Sequence, residues 1–133
     1  MRQNGREIPA TAPAFQEDTD LLIVMLGTND LLQGCSSGSA VGKLERFLSG
    51  IFPPQDKLLL IAPPPMALRE WVPSQQLIDA SKTFARCCRE FAERMGIRFV
   101  DAGMWDIPLV YDGIHFTEQG HKAFAAGLLK ELK

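Results

Sequence analysis

Six apolar residues in succession, Leu21-Leu22-Ile23-Val24-Met25-Leu26, stop abruptly at Gly27-Thr28-Asn29-Asp30. The run does not alternate, so neither of its faces is suited to water. It reads as a strand over residues 21–26 inside a parallel sheet covered on both sides. A polar turn at the C-terminal end of such a strand is where open α/β sheets place their chemistry. Asn29 is therefore the first candidate functional residue. Asn and Asp also favour turns and cap helices, so this position alone leaves both readings open.

The remaining chain supplies partners for that strand. Residues 1–19 are polar, broken by Pro9 and Pro13, with a turn signal at Asn4-Gly5-Arg6 and a short helical turn expected over 10–16. Beyond a small-residue loop, Ser39 is expected to cap a helix over 40–52, with Val41, Leu44, Leu48 and Ile51 on one face, stopped by Pro53-Pro54. A second buried strand is expected over 57–62, and Pro63-Pro64-Pro65 forces it out of the ladder into a rigid loop. Residues 66–73, including Trp71, form a loop placed to line a cleft, and Trp71 fits a packing role equally well. From Ser74 onward Leu77, Ile78, Ser81, Phe84, Ala85, Cys88, Phe91, Ala92 and Met95 recur at steps of three and four, which predicts one long amphipathic helix closed by Gly96. Residues 97–101 form a third strand, and a loop through Gly103, Trp105 and Pro108 follows. Thr117 is placed to cap a last helix over 118–132, with Ala123, Phe124, Leu128 and Leu132 inward. Strands and helices alternate with crossovers long enough for parallel pairing, so the fold class is α/β, three-layered, with residues 1–133 as one domain.

Composition narrows the functional classes. The chain is 46% hydrophobic and 23% charged, with a net charge of -2. That balance argues against a nucleic-acid or anionic-membrane surface. No apolar run reaches membrane-spanning length, and the N-terminus lacks the apolar segment of a signal peptide. A cytoplasmic location is expected unless an upstream segment carries an address. Cys35, Cys87 and Cys88 have no metal-ligand spacing, so they read as free thiols and zinc is not expected.

His115 follows Asp112 by three residues, with Gly113 and Ile114 between. In a tight loop this spacing lets the carboxylate reach one imidazole nitrogen and set the tautomer. The other nitrogen is then free to take a proton from a hydroxyl nucleophile. That is the base-and-orienter half of an acyl-transfer triad. A loop histidine merely hydrogen-bonded beside a helix start would look the same. Asn29, for its part, could aim a side-chain amide at a developing oxyanion.

Taken together, Gly27-Thr28-Asn29-Asp30 after an apolar strand and Asp112-Gly-Ile-His115-Phe-Thr-Glu-Gln-Gly120-His121 before a last helix resemble the SGNH (GDSL-type) hydrolases. Asn4-Gly5-Arg6-Glu7-Ile8-Pro9 is similar to a further block of that family. The resemblance runs from about residue 3 to the C-terminus. It implies a flavodoxin-like three-layer sheet of order 2-1-3-4-5. It implies hydrolysis of carboxylic or acetyl esters without metal or cofactor. It also implies Asp112 and His115 as catalytic residues, and an oxyanion hole from the Asn29 side chain and the Gly5 N–H.

The chain departs from the family at its nucleophile. No Gly-Asp-Ser occurs, and only four residues precede Gly5. The resemblance implies that strands 3, 4 and 5 of the sheet are present, while the first strand and its serine are missing. Ser36, Ser37 and Ser39 lie in a loop too flexible to hold a nucleophile, and Ser49, Ser74 and Ser81 sit on helices or at a cap. His121 reads as solvated or capping. Two functions remain. The chain is either the Asp/His and oxyanion portion of a serine esterase acting on small ester substrates, or an inactive shortened relative kept as a binding or assembly module. Nucleotide binding is disfavoured, because no Gly-rich phosphate loop follows a strand. An apolar strand 21–26 without its neighbour would be an exposed edge, which predicts self-association.

Overall fold

The computed structural model describes residues 18–51, 55–69 and 71–132. The expected turn at 10–16 and Gly5 lie outside them. Three strands, β1 (Leu22–Val24), β2 (Leu58–Ala62) and β3 (Arg98–Asp101), form a parallel sheet in the order β1-β2-β3. Leu22 pairs with Leu58 and Val24 with Leu60 on one side of β2, and Leu60 pairs with Phe99 and Ala62 with Asp101 on the other. Four helices accompany the sheet: α1 (Thr28–Leu32), α2 (Ser37–Ile51), α3 (Gln75–Met95) and α4 (Glu118–Leu132). The alternation read from the sequence is the architecture found.

Every residue of β2 is buried. Leu58, Leu60 and Ala62 share one core with Ala40, Leu44 and Leu48 of α2 and Ile78, Phe84, Cys88 and Phe91 of α3. Leu59 and Ile61 point the other way, into a second core closed by Trp105, Phe124 and Leu128. The layers are thus α2 and α3, the sheet, and α4.

The opening strand differs from its expectation. Only Leu22–Val24 pairs, Ile23 is 39% exposed and Leu26 48% exposed. Val24 reaches the α2/α3 core, whereas Ile23 faces the thinly covered α4 side. An unbroken apolar run encodes burial on both faces, but burial also needs an element on each side. Among the described residues β1 has a strand partner on one edge only.

The helices show how local chemistry sets boundaries. Ser74 Oγ accepts from the Leu77 N–H, and Gly96 adopts the left-handed conformation that closes α3, both as expected. In α2 the cap is Ser36 rather than Ser39: the Ser39 N–H donates to Ser36 Oγ at 3.1 Å, and the helix starts at Ser37. Ser37 is taken by packing, its hydroxyl donating to the Ala80 carbonyl of α3. Leu132, expected inward in the last turn of α4, is exposed. Phe124 instead meets Trp105 edge to face, and Gly127 lets the Trp105 indole approach the α4 backbone.

Gly27 joins β1 to α1 with φ at +121°, a conformation that disfavours other residues. A Cβ there would lie 2.2 Å from Cζ of the buried Phe84. Gly27→Ala is expected to destabilise the protein by about 2–5 kcal/mol, combining backbone strain with overpacking. Urea unfolding checks this, and a midpoint unchanged from wild type would contradict the packing described.

Candidate active site

All three strands run in one direction, so their C-terminal ends open onto one rim. β1 leads there to Met25 and Thr28, β2 to Pro63–Met66, and β3, after a 3-10 turn at Ala102–Trp105, to the loop that carries Asp112 and His115. The β2 exit is held from beneath. Buried Ser81 Oγ accepts from the Met66 N–H at 3.1 Å and donates to the Ile78 carbonyl at 2.7 Å.

The 108–117 loop folds back on itself. Leu109 bridges Phe116, the Val110 N–H donates to the His115 carbonyl, and the Thr117 N–H donates to the Pro108 carbonyl. Gly113, at φ +78°, passes so close to the 66–73 loop that a Cβ would meet the Ala67 carbonyl at 2.3 Å. The Ala67 N–H in turn donates to the Gly113 carbonyl. This pinning fixes the turn between Asp112 and His115.

Asp112 is the anchor of the loop. Its Oδ1 accepts from the backbone N–H groups of Ile114 at 2.8 Å and His115 at 2.9 Å, and its Oδ2 lies 2.5 Å from His115 Nδ1. Its side chain is 6% exposed, against 71% for His115. Burial pushes the Asp112 carboxyl upward, but the His115 ring and the two backbone donors outweigh it and hold the pKa down at about 2. The carboxylate therefore stays ionised and holds the imidazole by one nitrogen, with the ring itself facing solvent. Nε2 has no hydrogen-bond partner among the described residues.

Beside His115 lies a cavity of about 280 Å³, walled by Met25, Thr28, Pro63, Pro64, Met66, Ile114, Phe116 and His121. Sequence reasoning missed most of these walls. Pro63 and Pro64 were legible as a strand exit, but no local signal says which loop they will face. His121 caps nothing: Thr117 Oγ1 accepts from the Gly120 N–H and performs that task. The His121 ring lies 5.3 Å from the Phe116 ring and joins the cavity wall.

The structure pairs Asp112 with His115 but sets Asn29 at the next recess. Asn29 is exposed in the first turn of α1 and borders a second cavity with Leu26, Asp30, Lys43 and Phe47, while Thr28 borders the first. Asn29 is not a helix cap, because Gly27 occupies that position and α1 has no side-chain cap bond. Trp71 is exposed and lines neither cavity; its neighbour Val72 is the packing residue. Among the described residues no serine lines the His115 cavity, and no group of three or more His, Cys, Asp or Glu is placed to hold a metal ion. No helix among them is long and apolar enough to cross a membrane.

Comparison with known proteins places this arrangement. Residues 2–123 match the model of the GDSL-like lipase/acylhydrolase family. No curated protein matches the chain. Among solved structures, the native aryl esterase of M. smegmatis is similar with a TM-score of 0.72 at 26% identity, covering 88% of this chain and 61% of that one. A carbohydrate acetylesterase family member from Sinorhizobium meliloti has a TM-score of 0.74 at 22% identity, covering 88% and 62%. A member of the lipolytic G-D-S-L family from Veillonella parvula DSM 2008 has a TM-score of 0.65 at 18% identity, covering 81% and 60%. At their identities the last two speak to the fold alone. The chain spans about three fifths of the length of these structures. With the family's pattern running through nearly all of its residues and its sheet superposing on esterases of that fold, the chain belongs to the GDSL-like lipase/acylhydrolase family.

Proposed function

We propose that this domain serves ester hydrolysis, with His115 as general base and Asp112 as the residue that orients it. The observation that carries the reading is the Asp112–His115 pair beside an apolar cavity. With Nδ1 held by an ionised carboxylate, Nε2 is the nitrogen left to accept a hydroxyl proton and later return it to the leaving alcohol. Asn29, one residue beyond Thr28 on the same rim, is assigned to the developing oxyanion, together with the Gly5 N–H that the family resemblance implies.

The attacking hydroxyl is assigned to a Gly-Asp-Ser segment of the family type, which the 133 residues do not contain. Without it the chain is a binding module with half of a triad. The cavity, about 280 Å³, exceeds the apolar cavity of about 150 Å³ that accommodates benzene. Its lining suits an apolar acyl or aryl group, in keeping with the aryl esterase among its structural neighbours.

Ester turnover is the first test of this reading. Alone, the chain is expected to hydrolyse p-nitrophenyl acetate at the background rate. Joined to the Gly-Asp-Ser segment of a family esterase, it is expected to turn the ester over. His115→Ala in the joined protein is expected to lower kcat by on the order of 10²–10⁴-fold. Robust turnover by the unjoined chain that survives His115→Ala would refute the assignment.

Asp112 titration provides the second test. Its folded pKa lies below the ordinary carboxylate value of 3.8, at about 2. Its contribution to stability is therefore fully present above about pH 3.8 and is lost as pH falls through about 2. The carboxyl carbon resonance of Asp112 should titrate in that lower range in wild type. A midpoint near the ordinary value would remove the basis for an ionised orienter.

Self-association is a separate expectation, which we infer from the edge of β1 that has no strand partner among the described residues and from the exposure of Ile23, Leu26 and, on α2, Phe47. Light scattering is expected to show dimers or larger species that lessen on Ile23→Lys. A monodisperse monomer across the micromolar range would exclude it.

A further inference from the structure

Away from the His115 cavity, three side chains meet between α1 and α2. The Lys43 ammonium lies 3.5 Å from Cys35 Sγ and 3.4 Å from Asp30 Oδ1. Lys43 stands on α2, whereas Cys35 is fixed just after α1, its N–H donating to the Asp30 carbonyl at 3.0 Å. The contacts with Cys35 and, next, with Asp30 raise the proton affinity of Lys43 above its ordinary value. Cys35 is half-buried and borders an open cavity of about 390 Å³ with Ser36, Ser74 and Leu77, which admits a small oxidant. Cys88 is buried. Burial first, and then the neighbouring Cys87 and Asp101, push its thiol up to about 12, leaving it protonated. Oxidation requires access, and a primary amine stands within reach of Cys35.

We propose that Cys35 and Lys43 form a site of reversible oxidative cross-linking, in which hydrogen peroxide joins Sγ to Nζ through a single bridging oxygen. In the first step the sulfur attacks peroxide, the O–O bond breaks, an S–O bond forms and water leaves, giving a sulfenic acid. In the second, the ammonium first gives up its extra proton to water. The sulfenic oxygen and the neutral amine then lose two electrons and two protons to a second peroxide. An O–N bond forms and two waters leave. Two equivalents of a dithiol reverse both steps and return the thiol, the amine and one water. The link closes α1 onto α2 beside the recess that Asn29 and Lys43 border.

The full chain treated with hydrogen peroxide and read by intact and tandem mass spectrometry tests the proposal. The expected product is heavier by one oxygen less two hydrogens, with the Cys35 and Lys43 peptides joined, and dithiothreitol removes the gain. Cys87→Ser keeps the product. Cys35→Ser abolishes it, and so does Lys43→Arg, which retains the cation but not the reactive amine. Oxidation that stops at sulfinic acid on Cys35, a link lacking the oxygen, or an unchanged product in Lys43→Arg overturns the proposal. Peptide mapping of the wild-type chain locates the bond directly, so the result does not depend on any variant folding.

Discussion

β2 meets water on neither face and has a strand on either edge. Its five residues alternate between two cores, so helices are required on both sides of the sheet. Parallel pairing through β2 demands crossover connections, which carry α2 and α3 on one face, while α4, after β3, covers the other. The same geometry sends the C-terminal ends of all three strands to one rim. The grouping of Met25, Pro63 and the His115 loop around one cavity follows from that double-sided burial.

On this rim the chemistry depends on a second, more local constraint. Asp112 is nearly buried yet ionised, because three donors converge on it within one turn. Desolvation alone would favour its neutral form, and the charge-assisted hydrogen bonds win. The outcome is a fixed anion beneath a solvent-facing imidazole. Gly113 makes the turn possible, since any Cβ would strike the Ala67 carbonyl, and Met66 and Ala67 thereby become part of the site.

The features legible in the sequence are those with short-range causes. Ser74 and Gly96 bound α3 through bonds made within a turn. Asp112 and His115 are three residues apart, and their interaction needs no distant partner beyond the loop's support. The failures have long-range causes. Ser36 and Ser39 are equivalent as capping chemistry, and the choice between them is decided where Ser37 bonds to α3. Leu132 has the period of a core residue, yet in the last turn of α4 it is exposed. The walls contributed by Met25, Met66 and Phe116 come from three separate segments, with nothing local to associate them.

The amino-acid sequence by itself determined the alternation of strands and helices, the caps of α3 and α4, and the Asp112–His115 pair, because each is specified by interactions within a few residues. Tertiary structure decided which apolar surfaces are covered and which polar groups share a cavity. Leu21 to Leu26 carry enough hydrophobicity for burial on both faces, yet Ile23 and Leu26 remain exposed, since burial is a property of neighbours as well as of the run itself. In the same way Asn29 and His115 reach one rim through the sheet, while the helix start at Thr28 sets them at adjoining recesses.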